Sequence, residues 1–363
     1  MRNACGYAIT LALLVSLVLI SADVQAGMPV GGKFLIYDNT GVSEALPSIA
    51  YNSQNREYLV VWEAEYAGPI YEIWGRRVSM NGATLGSAFR ISPDNQGSNP
   101  DVAYSSAANE YLVVWEHGTG VYGQRVSASG TPQGSVINIA VGLSGTGSCD
   151  QAAVAYGSVA DRYLVTYRYS LVADGSSGIW ANSIQSDGDL DPGSLLVHDH
   201  SNTLLPEQPD VAYNRSRNEF LVVCQQTFGP GDRDVYGRRV AMSGGAAPLG
   251  IAFGITTSNN DDTVPAVTAV PTVPTAGQYL VTWQTNQDIQ ARTVAGTETL
   301  GALRDLANTG WGEYRPAAAG CESPHQFLAV WTWVPVVTPQ AMMQVQARTL
   351  ALDGAPLHDT TLV

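Results

Sequence analysis

One heptapeptide recurs six times along the chain and constrains its fold more than any other feature. It reads Glu57-Tyr58-Leu59-Val60-Val61-Trp62-Glu63, then Glu110-Tyr111-Leu112-Val113-Val114-Trp115-Glu116. Four further copies follow: RYLVTYR at 162–168, EFLVVCQ at 219–225, QYLVTWQ at 278–284 and QFLAVWT at 326–332. Aromatic and β-branched residues fill every copy and no Pro or Gly interrupts it, so each reads as a β-strand. Alternation sends Tyr58, Val60 and Trp62 to one face, Leu59 and Val61 to the other. Both faces are apolar, which places the strand in mid-sheet with packing on both sides. About six residues is strand length and too short for an independent helix.

Three more strands surround each copy. A first strand follows a Pro or its equivalent, with starts at 47, 100, 152, 209, 265 and 316. A third carries Ile73–Val78, Val121–Val126, Ile179–Ile184, Val235–Val240, Ile289–Val294 and Val345–Leu350. A fourth carries Ala88–Ser92, Ser135–Ala140, Leu195–His198, Ala252–Thr256, Leu303–Ala307 and Asp359–Val363. Connections within a unit shrink to hairpin length, as at Thr285-Asn286-Gln287, whereas the fourth-to-first connection is never short. Four antiparallel strands followed by an obligatory crossing is the logic of a propeller blade. The expected fold is all-β, a six-bladed β-propeller of four-stranded antiparallel blades. A row of separate β-sandwiches is the runner-up, but units of this size are small for independent domains.

Two details of packing follow. The third strand carries Gly75, Gly123, Ala181, Gly237, Ala291 and Ala347 in one column, opposite the column of Trp62, Trp115, Tyr167, Cys224, Trp283 and Trp331. Mid-strand Gly implies a close approach, and the aromatic of a neighbouring blade is expected to supply it. The stretch 30–38 (VGGKFLIYD) resembles the fourth strand at 85–94 (LGSAFRISPD), so one fourth-type strand is spare. Phe34, Ile36 and Tyr37 offer more apolar surface than the Thr-rich end, and are expected to close the ring.

Residues 1–26 read as a secretory signal peptide: Arg2, an apolar run from about Ala8 to Ile20, and a small-residue cleavage site ending at Ala26. Residues 27–363 are then a single propeller domain, secreted or at the cell surface, and expected to be monomeric. No later segment approaches transmembrane length. Thirty-two acidic against 18 basic residues give a net charge of −14, which argues against nucleic acid and anionic membrane as partners. Cys5 leaves with the leader, and the odd number remaining cannot all pair internally. No disulfide framework is read from them.

The repeated YLVVW and I-Y-G-x-R-V elements resemble those of bacterial exported β-propeller repeat proteins, over essentially all of residues 30–363. The resemblance implies the fold and brings no catalytic residues. WD40 signatures are missing, and so are sialidase-type Asp boxes (S-x-D-x-G-x-x-W).

In a propeller the second-to-third hairpins and the fourth-to-first crossings emerge on one face. Here they carry Tyr66, Tyr71, Tyr169, Phe228, Trp311, Tyr314 and Trp333. Variable aromatic loops on a rigid scaffold are where binding resides; the bland counterpart is that such rings pack their own loops. Asp101 and Asp210 recur at the start of the inner strand in blades 2 and 4. Two carboxylates facing a funnel would suit glycoside hydrolysis, against the bland reading of an Asp stabilising a turn after Pro. Asp187–Gly193 fails the EF-hand spacing, and the five histidines show no metal spacing beyond His198-x-His200. The third-strand arginines read as structural hydrogen-bond donors. No metal or cofactor is expected. The leading functional expectation is a non-catalytic exported module that binds an extracellular carbohydrate, peptide or protein through its long-loop face. The alternative is a carbohydrate-active hydrolase or lyase with carboxylates in the central funnel.

Overall fold

The computed structural model describes residues 34–363 apart from 67–69, 95, 143–145, 202, 243–244, 271–276, 311, 323, 335–342, 359–360 and 363. The expected leader and Trp311 lie outside the described residues. Among the described residues twenty-four strands form six four-stranded antiparallel sheets, each in sequence order, the arrangement of a six-bladed β-propeller. Blade 1 holds β1 (Ser43–Asn52), β2 (Glu57–Tyr66), β3 (Ile70–Ser79) and β4 (Thr84–Arg90). Blade 2 holds β5 (Ser98–Ser105), β6 (Glu110–His117), β7 (Gly120–Ser127) and β8 (Pro132–Val141). Blade 3 holds β9 (Gly147–Gly157), β10 (Arg162–Leu171), β11 (Ser177–Gln185) and β12 (Leu195–Ser201). Blade 4 holds β13 (Pro206–Asn214), β14 (Glu219–Gly229), β15 (Asp232–Met242) and β16 (Ala246–Gly254). Blade 5 holds β17 (Asp262–Ala269), β18 (Gln278–Thr285), β19 (Asp288–Ala295) and β20 (Arg304–Ala307). Blade 6 holds β21 (Gly312–Glu322), β22 (His325–Val334), β23 (Gln344–Leu350) and β24 (Thr361–Leu362). No helix among the described residues is long and apolar enough to cross a membrane.

The double-faced heptapeptide explains why the core is divided into six seams. Leu59, Val61 and Ile73 of blade 1 pack on Tyr111, Val113 and Trp115 of blade 2. Leu112 and Val114 of blade 2 then pack on Tyr163, Val165 and Tyr167 of blade 3, and the pattern continues round the ring. Trp115, Tyr111, Leu59 and Leu112 are fully buried. Each such side chain contributes about 1.5–3 kcal/mol, so the repeated strand holds most of the ring's cohesion. Cys224 fills the Trp column of blade 4 as a small buried hydrophobe. Among the described residues Cys149 and Cys224 are free thiols, both buried.

Three expectations are corrected. The glycines of the small-residue column are covered from within their own blade, whereas Ala291 and Ala347 do share a core cluster with the next blade's Trp331 and Trp62. A Cβ on Gly237 would lie 3.0 Å from Ile255 Cδ1 and 3.1 Å from Phe253 Cζ, both carried down from the outer-strand region of blade 4. Gly75 and Gly123 meet Ile91 and Ile139 in the same way. Next, β24 rather than the N-terminal segment pairs with β23, with Ala347 opposite Thr361 and Gln346 opposite Leu362. Phe34, Ile36 and Tyr37 pack instead over the seam between blades 6 and 1. Tyr37 lies 5.1 Å from Trp62 and 5.9 Å from Trp74 between ring centroids. Finally, the long hairpin loops are in large part strand. β2 and β3 stay paired to Tyr66–Ile70, and β14 and β15 to Gly229–Asp232.

The third-strand arginines do act as structural donors, in a pattern that spans blades. Arg238 donates to Val197 O of blade 3 at 2.9 Å and Arg292 to Ile255 O of blade 4 at 2.7 Å. In blade 1, Arg76 reaches Ile36 O at 2.5 Å. Ile36 thus supplies the carbonyl that an outer-strand residue supplies elsewhere. That equivalence is why the segment looks like a fourth strand.

Candidate functional site

In every blade the inner strand breaks register just before its Pro column: at 45/48, 98/101, 150/153, 207/210, 263/266 and 314/317. The residue at each break has a left-handed backbone: Leu46, Asn99, Gln151, Gln208, Val264 and Arg315, with φ from 48° to 55°. Six non-glycine residues at positive φ, one of them the β-branched Val264, mark a repeated and strained bulge. A bulge leaves one residue's backbone without its ladder partner and re-aims its neighbours. Here the freed N–H groups turn towards the preceding blade.

Side chains of that blade receive them. Asn99 N donates to Glu63 Oε2 at 2.9 Å, and Gln151 N to Glu116 Oε1 at 2.6 Å. Gln208 N donates to Gln151 Oε1 at 2.7 Å and Val264 N to Gln225 Oε1 at 3.0 Å. Glu63, Glu116 and Gln225 are the residues immediately after the aromatic column of the heptapeptide, which also brings Arg168 to this level. Arg168 grips Asp150 with two bonds of 2.7 and 2.9 Å and Glu207 with one of 2.8 Å. Asn99 Nδ2 bonds Glu116 Oε1 at 2.6 Å, and Gln225 Nε2 bonds Glu207 Oε2 at 3.4 Å. The result is a polar belt that crosses each seam from blade 1 to blade 5.

Directly below the belt lie Asp101 and Asp210. Asp101 accepts from Ser48 Oγ at 2.6 Å and from Val154 N of the next blade at 2.8 Å. Asp210 accepts from Val211 N at 2.8 Å and from Val267 N of the next blade at 2.7 Å. Neither caps a turn. Each ties its own inner strand to the following one. Ser48, Ala153, Ala266 and Ala317 occupy the same position in the other blades, so these are the two carboxylates of an otherwise small-residue ring.

Burial shapes the electrostatics of this level. It pushes Asp210 up to about 7, with the nearby charge of Asp101 adding to the rise and the Val267 N–H opposing it. Asp101 is also raised, first by burial, against the Ser48 and Val154 donors. Glu63 and Glu116 are raised by burial too, in spite of the hydrogen bonds they accept from the bulges. A carboxyl that holds its proton near neutrality, with a second carboxyl whose charge raises it further, is a combination suited to acid–base chemistry. Among the described residues no group of three or more His, Cys, Asp or Glu is placed to hold a metal ion.

The described candidate aromatics fall on blades 1, 3, 4 and 6. Tyr66 packs into the seam between blades 6 and 1, and Tyr169 into that between blades 2 and 3, edge-on to Trp180 at 6.5 Å. Tyr71 sits opposite Glu65 and donates to it at 3.3 Å. Phe228 is 44% exposed, 6.1 Å from Tyr236. Tyr314 and Trp333 stand on adjacent strands of blade 6. Belt residues Glu63, Glu116, Asn99, Gln151 and Arg168 escaped the sequence reading. Their signal was a polar residue closing every copy of the heptapeptide, and another just before the Pro column in four of the six repeats, at Asn99, Gln151, Gln208 and Arg315.

No protein-family model and no curated protein matches the sequence. Solved structures match it in fold. The GH93 α-L-arabinofuranosidase of Fusarium graminearum, in complex with arabinobiose, aligns with a TM-score of 0.53 at 13% identity, over 85% of this chain and 93% of that one. The α-L-arabinanase of Penicillium chrysogenum with arabinobiose gives 0.53 at 13% identity, over 82% and 91%. A Hadza microbial sialidase gives 0.55 at 13% identity, over 86% of this chain and 65% of that one. Identities this low establish the shared propeller fold. The three propellers named here are glycosidases, which speaks against the leading functional expectation of a non-catalytic binding module, and that expectation is dropped. The alternative, carboxylates in the funnel, is carried forward.

Proposed function

We propose that the chain is a glycoside hydrolase, with Asp210 as general acid and Asp101 as the ionised partner carboxylate. One observation carries this reading: the two acids stand at the same inner-strand position of blades 2 and 4, and Asp210 keeps its proton up to about 7 while Asp101 bears on it as a charge. Glycosidic cleavage needs one carboxyl to protonate the leaving oxygen and one carboxylate to serve the anomeric centre. Asp210 gives its proton to the bridging oxygen as the C–O bond breaks. Asp101 either draws a proton from the attacking water or bonds to the anomeric carbon. A carboxyl separation of roughly 5–5.5 Å in a substrate-analogue complex would assign the second role, roughly 6.5–9.5 Å the first. The glycosidase names of the matched propellers support the reaction class.

Charge narrows the substrate. At the level of the belt the guanidinium of Arg168 is engaged by Asp150 and Glu207, and that of Arg233 by Asp261. With both guanidinium groups taken, neither is left to receive an anionic sugar, so a neutral glycoside is the substrate class. The leader-like pattern of residues 1–26 puts the enzyme outside the cytoplasm. The test is hydrolysis of p-nitrophenyl α-L-arabinofuranoside and arabinan, with a sialic acid glycoside as the anionic control. Asp210→Asn and Asp101→Asn should each lower kcat by about 10²–10⁴. A parent enzyme inert on every neutral glycoside, or asparagine variants with full activity, would sink the proposal.

A further inference from the structure

The orphaned polar atoms of blade 6 converge in a way the catalytic reading does not use. Glu313, Trp333 and Gln344 are direct neighbours on β21, β22 and β23: Glu313 pairs with Trp333, and Trp333 with Gln344. Opposed residues of an antiparallel sheet project to the same face. Trp331, two residues earlier on β22, packs into the seam with blade 5, so all three side chains share that face. The carboxyl of Glu313 is wholly buried; Thr309 Oγ1 donates to its Oε1, while Oε2 has no partner. Trp333 Nε1 and Gln344 Oε1 are likewise out of water and unpartnered.

A lone unpartnered indole is a repeat feature in this chain, since Trp62, Trp115 and Trp283 also lack partners for Nε1. Blade 6 differs in gathering a donor and two acceptors at successive positions of one row. An unsatisfied buried acceptor costs about 1–3 kcal/mol, more for a carboxylate. Glu313 is held there by its backbone, whose N–H donates to Gln287 O of blade 5 at 2.9 Å. Trp333 and Gln344 remain half-exposed. The row is therefore polar within and borders solvent through Trp333 and Gln344.

We propose that this row is a sugar-binding subsite, taking one neutral monosaccharide unit of a longer chain whose scissile bond lies at Asp101 and Asp210. Hydroxyl groups both donate and accept, which suits two acceptors and one donor, and the half-exposed indole offers a stacking face to a sugar ring. This subsite rests on the hydrolase reading for its role, but its occupancy can be tested separately.

Isothermal titration of the full chain with arabinobiose, the neutral probe, is the experiment. Trp333→Phe and Gln344→Ala should each weaken binding at least tenfold while the thermal midpoint stays near that of the parent. Gln344→Ala removes an atom that bonds nothing in the fold, so it keeps the test sound if Trp333→Phe misfolds. Equal affinity in parent and variants, no binding by the parent, or binding of tetramethylammonium in place of the sugar would overturn the subsite. Turnover combined with binding indifferent to Trp333 would remove the subsite and leave the hydrolase. Binding dependent on Trp333 without turnover of any glycoside would do the reverse.

Discussion

Replacing Asp210 by Asn should make the protein more stable at pH 8 and flatten its stability profile between pH 4 and 7. The side chain keeps its proton to about 7 against an ordinary 3.8, chiefly because burial disfavours the charge. Between these values the folded chain binds a proton that the unfolded chain has already released. Stability must therefore fall as pH rises through the window, the reverse of a salt-bridged carboxylate. About three pH units at about 1.36 kcal/mol each put a ceiling of about 4 kcal/mol on that loss. Asp210 is partly buried rather than fully, so solvent screening makes about 1–2 kcal/mol the working figure. Asn retains an oxygen for Val267 N and carries no charge at any pH. Urea unfolding of parent and variant at pH 5, 6, 7 and 8 isolates the effect. Glu63 and Glu116 are also raised, but they are common to both proteins and cancel in the difference, whereas the repulsion between Asp101 and Asp210 is lost in the variant and is part of the effect measured. Parallel profiles, or a variant less stable at pH 8, would refute the claim that Asp210 is ionised at a cost.

Gly237→Leu should lower stability by about 1–3 kcal/mol through overpacking against Ile255, Phe253 and Leu221; an unchanged thermal midpoint would show that the column has room. Tyr37→Ala should cost about 1–2 kcal/mol by uncovering Trp62 and Trp74, visible as a changed near-ultraviolet tryptophan signal, and a silent variant would mean the segment only rests on the seam. Arg168→Met leaves Asp150 and Glu207 facing each other without a cation. It should cost about 1–3 kcal/mol at pH 7, and an unchanged thermal midpoint would show that the two carboxylates do not depend on the cation between them.

Sequence alone determined what is local and repeated. The heptapeptide's two apolar faces made it a mid-sheet strand, its six copies counted the blades, and loop lengths ordered the strands within each one. Those inferences succeed because alternation and turn chemistry act over a few residues. The channel mouth was only half legible. Asp101 and Asp210 stood out as a recurring Pro-Asp, but nothing in that spacing told turn caps from inter-blade acceptors with raised pKa. The belt was hidden more deeply. Glu63 meets Asn99 and Glu116 meets Gln151 across a seam, and the bulge that aims each N–H at its acceptor rests on a left-handed residue as unexpected as Val264. Ring closure was misread for a related reason. Phe34 and Ile36 share the apolar pattern of an outer strand, yet pairing with β23 depends on which segment reaches its edge, and β24 does. Such choices are made between residues far apart in the chain, where packing of whole blades, not local preference, selects the partner.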